Sequence, residues 1–120
     1  TIMAPEEKPS LEDKVRALRE RYADSVDDKI NEISVSYKAL LAANKEGDLA
    51  EQIDALIAPV HKMAGSAPTF GLMALGACAA ELEAALVSFK SDSKRLSEEE
   101  ISKITVLTEA LCQARKTLEG

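Results

Sequence analysis

Apolar residues recur at intervals of three and four along almost the whole chain. In the first third they fall at Leu11, Val15, Leu18, Tyr22, Val26, Ile30, Ile33, Tyr37, Leu40 and Leu41. That spacing lays them on one face of an α-helix, and no alternation of period two competes with it. Ser10 stands where an N-cap belongs, with Asp13 three residues on as a weaker form of the capping-box acid. Ser25 with Asp28 repeats the signal, so the spacing predicts a short helix over about 10–23 and a longer one to about 44, with one continuous helix as the alternative. Asn44 to Asp48 reads as a turn, and Asp48 is placed to cap a helix with apolar positions Leu49, Ile53, Leu56, Ile57, Val60 and Met63 that should run to about Phe70. Gly71 punctuates it. Leu72 to Lys90 then reads as another helix, with Leu72, Leu75, Ala79, Leu82, Leu86 and Phe89 on one face.

After the polar stretch Ser91 to Arg95, Ser97 followed by Glu98, Glu99 and Glu100 puts a hydroxyl cap and carboxylates at the positive end of a helix dipole. The last helix carries Ile101, Ile104, Thr108, Leu111, Arg115 and Leu118 near one face, with Leu107 on its flank. Four main amphipathic helices joined by short turns predict an all-α antiparallel up-and-down four-helix bundle, with a short extra N-terminal helix if the chain breaks near Ser25. Residues 1–9, flanked by Pro5 and Pro9, read as a frayed leader or the remnant of a trimmed chain, and 10–120 as one domain without repeat or linker. The chain opens without an initiator Met, as a domain cut from something longer would.

Length and composition narrow the function classes. A chain of 120 residues with 46% apolar content can build one core but not two. Fifteen basic against 21 acidic residues give a net charge of −6, the wrong sign for a surface that neutralises nucleic-acid phosphates. The paucity of aromatics and glycines argues against a β-sandwich. Cys78 and Cys112 form no Cys-x-x-Cys pair, and with a single His they supply no recognisable zinc site, so they read as small half-buried apolar residues in a reducing compartment. No secretory signal opens the chain, and a cytoplasmic protein is expected.

Met63 to Ala80 contains no charged residue in a chain that is 30% charged. It falls short of the ~20 strongly apolar residues that span a bilayer, and Gly65, Pro68, Gly71 and Gly76 interrupt it. A neutral stretch of this kind is a buried or docking surface rather than a membrane span.

The lone histidine, His61, sits at the edge of that stretch. On a helical wheel it falls roughly 100° from the direction shared by Leu49, Ile53, Leu56, Val60 and Met63, on the rim of the core face. Ile57 and Ala58 lie one turn before it and Gly65 one turn after, where a long side chain would otherwise cover the ring. A mid-helix glycine costs about 1 kcal/mol relative to alanine. Close approach of another molecule would justify it, and a fraying helix end near Pro68 and Gly71 would too. Pro59 removes the bond to Ala55 and favours a kink just before His61. Ser66 points about 140° away from His61, so no nucleophile and base pair here. One imidazole can still accept a phosphoryl group on a ring nitrogen if another protein brings the donor and its Mg²⁺.

The run His61-Lys62-Met63-Ala64-Gly65-Ser66-Ala67-Pro68-Thr69-Phe70-Gly71 resembles the motif of histidine-containing phosphotransfer (HPt) domains of bacterial-type phosphorelays. His61, Met63, Gly65, Ser66, Ala67 and Gly71 match it in register, and the resemblance covers about residues 10–118. It departs where many relatives carry Lys or Arg three residues after the His, since this chain has Ala64, and where Pro68 replaces a common Gly. Lys62 keeps one positive charge nearby. If the chain reverses near Phe70, the returning helix comes level with His61 around Ala80 to Glu83, and Glu83 is the polar residue closest to its apolar face.

The resemblance implies a phosphorelay intermediate, a carrier rather than an enzyme, that takes a phosphoryl group on His61 from a receiver-domain aspartyl-phosphate and passes it to another receiver. Lys62 and Glu83 would then act electrostatically or orient the ring. Gly65, Ala58 and Ser66 would give a partner access, and Ile57 and Phe70 would belong to its docking surface. The expected partners are response-regulator receiver domains and a hybrid histidine kinase, with no cofactor, metal, nucleic acid or membrane, and the chain is expected to be monomeric. The phosphoacceptor domain of a chemotaxis-type kinase, or a helical adaptor or dimerisation module, are the alternatives.

Overall fold

The computed structural model describes residues 10–46, 49–90 and 95–116. They form four α-helices: α1 (Leu11–Glu46), α2 (Ala50–Thr69), α3 (Met73–Lys90) and α4 (Glu98–Lys116). No strand occurs among the described residues. The leader 1–9, the capping residue Asp48 and the apolar Leu118 of the sequence reading lie outside them.

The helix starts form as their sequences dictate. Ser10 and Asp13 exchange side-chain-to-backbone bonds at 3.1 and 3.3 Å, and Ser97 and Glu100 do the same at 3.1 and 2.9 Å, each satisfying two amides that have no partner inside the helix. The break at Ser25 does not occur, and α1 is one continuous helix. Ser25 Oγ donates back to the Tyr22 carbonyl at 2.8 Å instead of capping a new helix. The apolar stripe runs unbroken through this point, so packing of Tyr22 and Val26 outweighs the local capping signal.

The helices pack in chain order, α2 most extensively on α3, α3 on α4, with α1 closing the ring against α2 and more thinly against α4. Tyr37 bonds Thr105 and Asp27 holds Arg115, so α1 and α4 run antiparallel. The core takes Val26, Ile33 and Leu40 from α1, Ile53, Leu56, Val60 and Met63 from α2, Leu75, Leu82 and Leu86 from α3, and Ile104 and Leu111 from α4, all essentially inaccessible to water. Each such side chain contributes roughly 1.5–3 kcal/mol of burial.

At one end the Asn44 side chain brackets Leu96, accepting from its amide at 2.7 Å and donating to its carbonyl at 3.3 Å. Arg95 caps the last carbonyls of α1 through Asn44 and Lys45. The first turns of α1 project past the opposite end, leaving Leu11, Val15 and Leu18 exposed. Cys78 and Cys112 are free and half-buried, and burial, followed by the charge of Glu81, holds the Cys78 thiol pKa above its ordinary value.

Candidate functional site

His61 lies on the outward lip of the seam between α2 and α3, with 71% of its side chain exposed. Its Nδ1 is 2.6 Å from Oε2 of Glu83 on α3, whose side chain is 26% exposed. A carboxylate only accepts, so the bond is made with the proton on Nδ1, and in the tautomer that this selects Nε2 is the nitrogen with the free lone pair.

The seam has a simple register. Asp54 meets Lys90 at 2.6 Å, His61 meets Glu83, and Pro68 sits against Gly76. Seven residues separate successive members of each series, Asp54, His61 and Pro68 on α2 and Lys90, Glu83 and Gly76 on α3, so the three crossings form an antiparallel ladder. A seven-residue spacing is what helices packed at a shallow angle need to keep one face on the partner. At Gly76 the approach is closest, because a Cβ there would lie 2.6 Å from Pro68 Cγ. His61 occupies the middle crossing and is steadied by crossings two turns away on either side.

Pro59 and Pro68 both lie inside α2, which neither stops nor restarts at either. The helix ends in a Schellman motif, in which the Leu72 amide bonds the Ala67 carbonyl at 2.9 Å and the Gly71 amide bonds that of Pro68 at 3.0 Å. Gly71 adopts φ +83°, the left-handed conformation that glycine takes without a Cβ penalty. Gly65 is different. The helix continues to Thr69, so it is not a fraying end, and a Cβ built on it would meet nothing within 4 Å. Its lack of a side chain therefore serves no contact within the described residues.

The residues singled out from the sequence divide into two sets. Ile57, Ala58, Gly65 and Glu83 gather with His61 along the seam, Ile57 half-buried, Ala58 and Gly65 exposed. Ser66 and Phe70, both half-buried, lie toward α1. Ser66 Oγ bonds Tyr22 Oη at 2.7 Å, Phe70 stacks on the Tyr22 ring with centroids 4.7 Å apart, and Arg19 Nε donates to the Phe70 carbonyl at 2.9 Å. Together they clamp the end of α2 onto α1. Lys62 is exposed, roughly 100° around the helix from His61, and Ala64 is half-buried against the core.

Sequence reasoning missed the clamp residues Arg19 and Tyr22, the Pro68–Gly76 contact, and Val87. Val87 lies between Glu83 and Lys90 on the face of α3 that meets α2, yet it is 52% exposed. The shared spacing of seven in the two helices was the signal available for these seam positions.

The chain matches the family model described as Hpt domain over residues 17–117. No curated protein and no solved structure gives a significant match. The matched span takes in most of α1 and all of α2, α3 and the loop positions between them, and it ends just past α4. The chain therefore belongs to the Hpt domain family, whose members are phosphocarrier modules with a phosphotransfer role in phosphorelays and interact with response-regulator receiver domains.

Proposed function

We propose that His61 accepts a phosphoryl group at Nε2 from the aspartyl-phosphate of a receiver domain and passes it to the Asp of another receiver. The observation that carries this reading is the pairing of an outward, 71% exposed imidazole with a carboxylate at 2.6 Å from Nδ1. Family membership supplies the reaction class, and this geometry supports the atom.

In the forward step the Nε2 lone pair attacks phosphorus, the P–N bond forms, and the acyl phosphate P–O bond breaks, returning its electron pair to the donor Asp as carboxylate. The ring becomes a phosphoimidazolium that keeps the proton on Nδ1, where the Glu83 carboxylate stabilises the new positive charge. Transfer onward is the reverse of these events on a second receiver. Ala64 stands where many relatives carry Lys or Arg, so the positive charge that neutralises the moving phosphoryl group is assigned to the receiver and its bound Mg²⁺. This chain then acts as a monomeric cytoplasmic carrier supplied by a hybrid histidine kinase, with no cofactor of its own.

The test is transfer from purified receiver domains phosphorylated with acetyl phosphate. Wild type should gain one acid-labile, base-stable phosphoryl group per chain at His61, and His61→Gln should gain none. Equal labelling of the two proteins would sink the reading.

A further inference from the structure

The ladder between α2 and α3 defines a patch beside His61 that the phosphoacceptor chemistry does not use. Ile57 is four residues before His61 and Val87 four after Glu83, so in the antiparallel register the two stand level with each other. They fill the interval between the His61–Glu83 crossing and the Asp54–Lys90 crossing. Ile57 is half-buried and packs against the core, whereas Val87 leaves 52% of its surface in water with Ala58 and Ala84 exposed beside it. The corresponding interval on the other side of His61 holds Ala64 and Ala80, with Gly65 next to it. The seam is thus asymmetric about the imidazole, with aliphatic bulk on one side and small residues on the other.

We infer that Val87, with Ile57 and Ala58, forms the apolar anchor of the receiver-docking surface, and that the receiver sets an aliphatic or aromatic side chain there while its acidic site approaches His61 over Gly65 and Ala80. The inference rests on the phosphoacceptor reading, because that reading fixes the occupant. A donor carboxylate must come into contact with Nε2. A stable footprint of about 800 Å² per partner is a disc roughly 16 Å in radius. Val87 lies only about 6 Å along α3 from the level of Glu83. A receiver seated on His61 therefore covers it, and an exposed aliphatic residue in the desolvated part of an interface is where binding energy concentrates. The framing charges of Asp54 and Lys90 stand at the rim, where a partner's polar residues keep their water.

The experiment separates docking from chemistry by using two phosphodonors. Phosphoramidate is small enough to phosphorylate His61 without docking, whereas the receiver domain that labels wild type fastest must dock. Val87→Glu is expected to take label from phosphoramidate at the wild-type rate and to need about tenfold more receiver for half-maximal transfer. Val87→Ser should show a smaller shift in the same direction. Val106→Glu, at a comparably exposed valine on α4, should transfer as wild type does. Helical circular dichroism should be unchanged throughout, since the substituted side chains are mostly in solvent. Wild-type receiver dependence for Val87→Glu overturns the inference, and so does an equal loss in Val106→Glu. A parallel loss of phosphoramidate labelling in Val87→Glu also overturns it, by locating the effect at the imidazole. If wild type takes no label at His61 from either donor, it is the underlying phosphoacceptor reading that has failed.

Discussion

Gly65→Ala tests whether the site is shaped for a partner at the expense of the fold. Gly65 lies in the interior of α2, four residues before its last helical position, Thr69, and one turn beyond His61. An added Cβ would have nothing within 4 Å, so no steric term opposes it. What remains is the conformational entropy of a glycine held helical, about 0.5–1 kcal/mol relative to alanine. Alanine should therefore raise the stability of the free protein by that amount. For a chain of 120 residues this corresponds to a midpoint about 2–5 °C higher in thermal unfolding followed by circular dichroism.

The same substitution should slow transfer from a phosphorylated receiver, modestly for alanine and by more than tenfold for Gly65→Leu. The direction follows from helix geometry. The Cα–Cβ bond tilts toward the N-terminus, so a long side chain at position 65 leans back over position 61, where phosphorus would approach in the proposed transfer. Opposite signs for stability and transfer are what a residue kept for access requires. A destabilised Gly65→Ala would show that the backbone at this position is strained in a way its surroundings do not reveal. A Gly65→Leu variant that transfers at the wild-type rate would remove access as the reason for the glycine.

Gly76→Ala should behave in the opposite way, because its Cβ would lie 2.6 and 2.7 Å from Pro68 Cγ and Cδ. The proline ring is fixed in the backbone and cannot swing aside, so overpacking of about 1–3 kcal/mol exceeds the helix-propensity gain, and urea unfolding should show a net loss. Thr108→Val should stabilise by about 1 kcal/mol in the same assay, since Thr108 Oγ1 is buried without a hydrogen-bond partner among the described residues and valine has nearly the same shape. A loss on that substitution would mean that the hydroxyl is bonded after all.

Much of the fold was legible because its signals agree with one another. The stripes of α2, α3 and α4 give period, length and face together, and Ser97 with its acidic followers marks a start that no packing contradicts. Ser25 misled because a capping hydroxyl and a helix-interior hydroxyl look alike in sequence. What decides between them is whether the apolar stripe on both sides is buried by one neighbouring surface, and here Tyr22 and Val26 are. At the site, His61 was legible as a singular residue, and Glu83 followed from counting back along an antiparallel partner. One contact of Phe70 was not legible, for a physical reason. Its position in the uncharged run gave no sign that the helix end turns it toward α1, where Tyr22 stacks on it. No spacing within α2 reports which of two flanking helices a rim residue will meet.

A phosphoryl carrier faces two demands that pull against each other: its imidazole must be open to a protein-sized partner, and it must present one nitrogen in one direction. A free histidine on an exposed helix meets the first and fails the second, because its side chain turns among rotamers. Burial would meet the second and fail the first. The α2–α3 ladder satisfies both by holding the ring from one edge only, through Glu83, and by making the helices on which both residues stand rigid two turns away, through Asp54 with Lys90 and Pro68 against Gly76. Of these two outer crossings, the exposed ion pair contributes little stability of its own, about 0–1 kcal/mol. The close Pro68–Gly76 contact is therefore the stronger constraint on how far apart the two helices stand at His61. That explains how Pro68 can replace a glycine in the motif: with Gly76 as its complement, the proline ring becomes a spacer that sets the distance across which Glu83 reaches Nδ1.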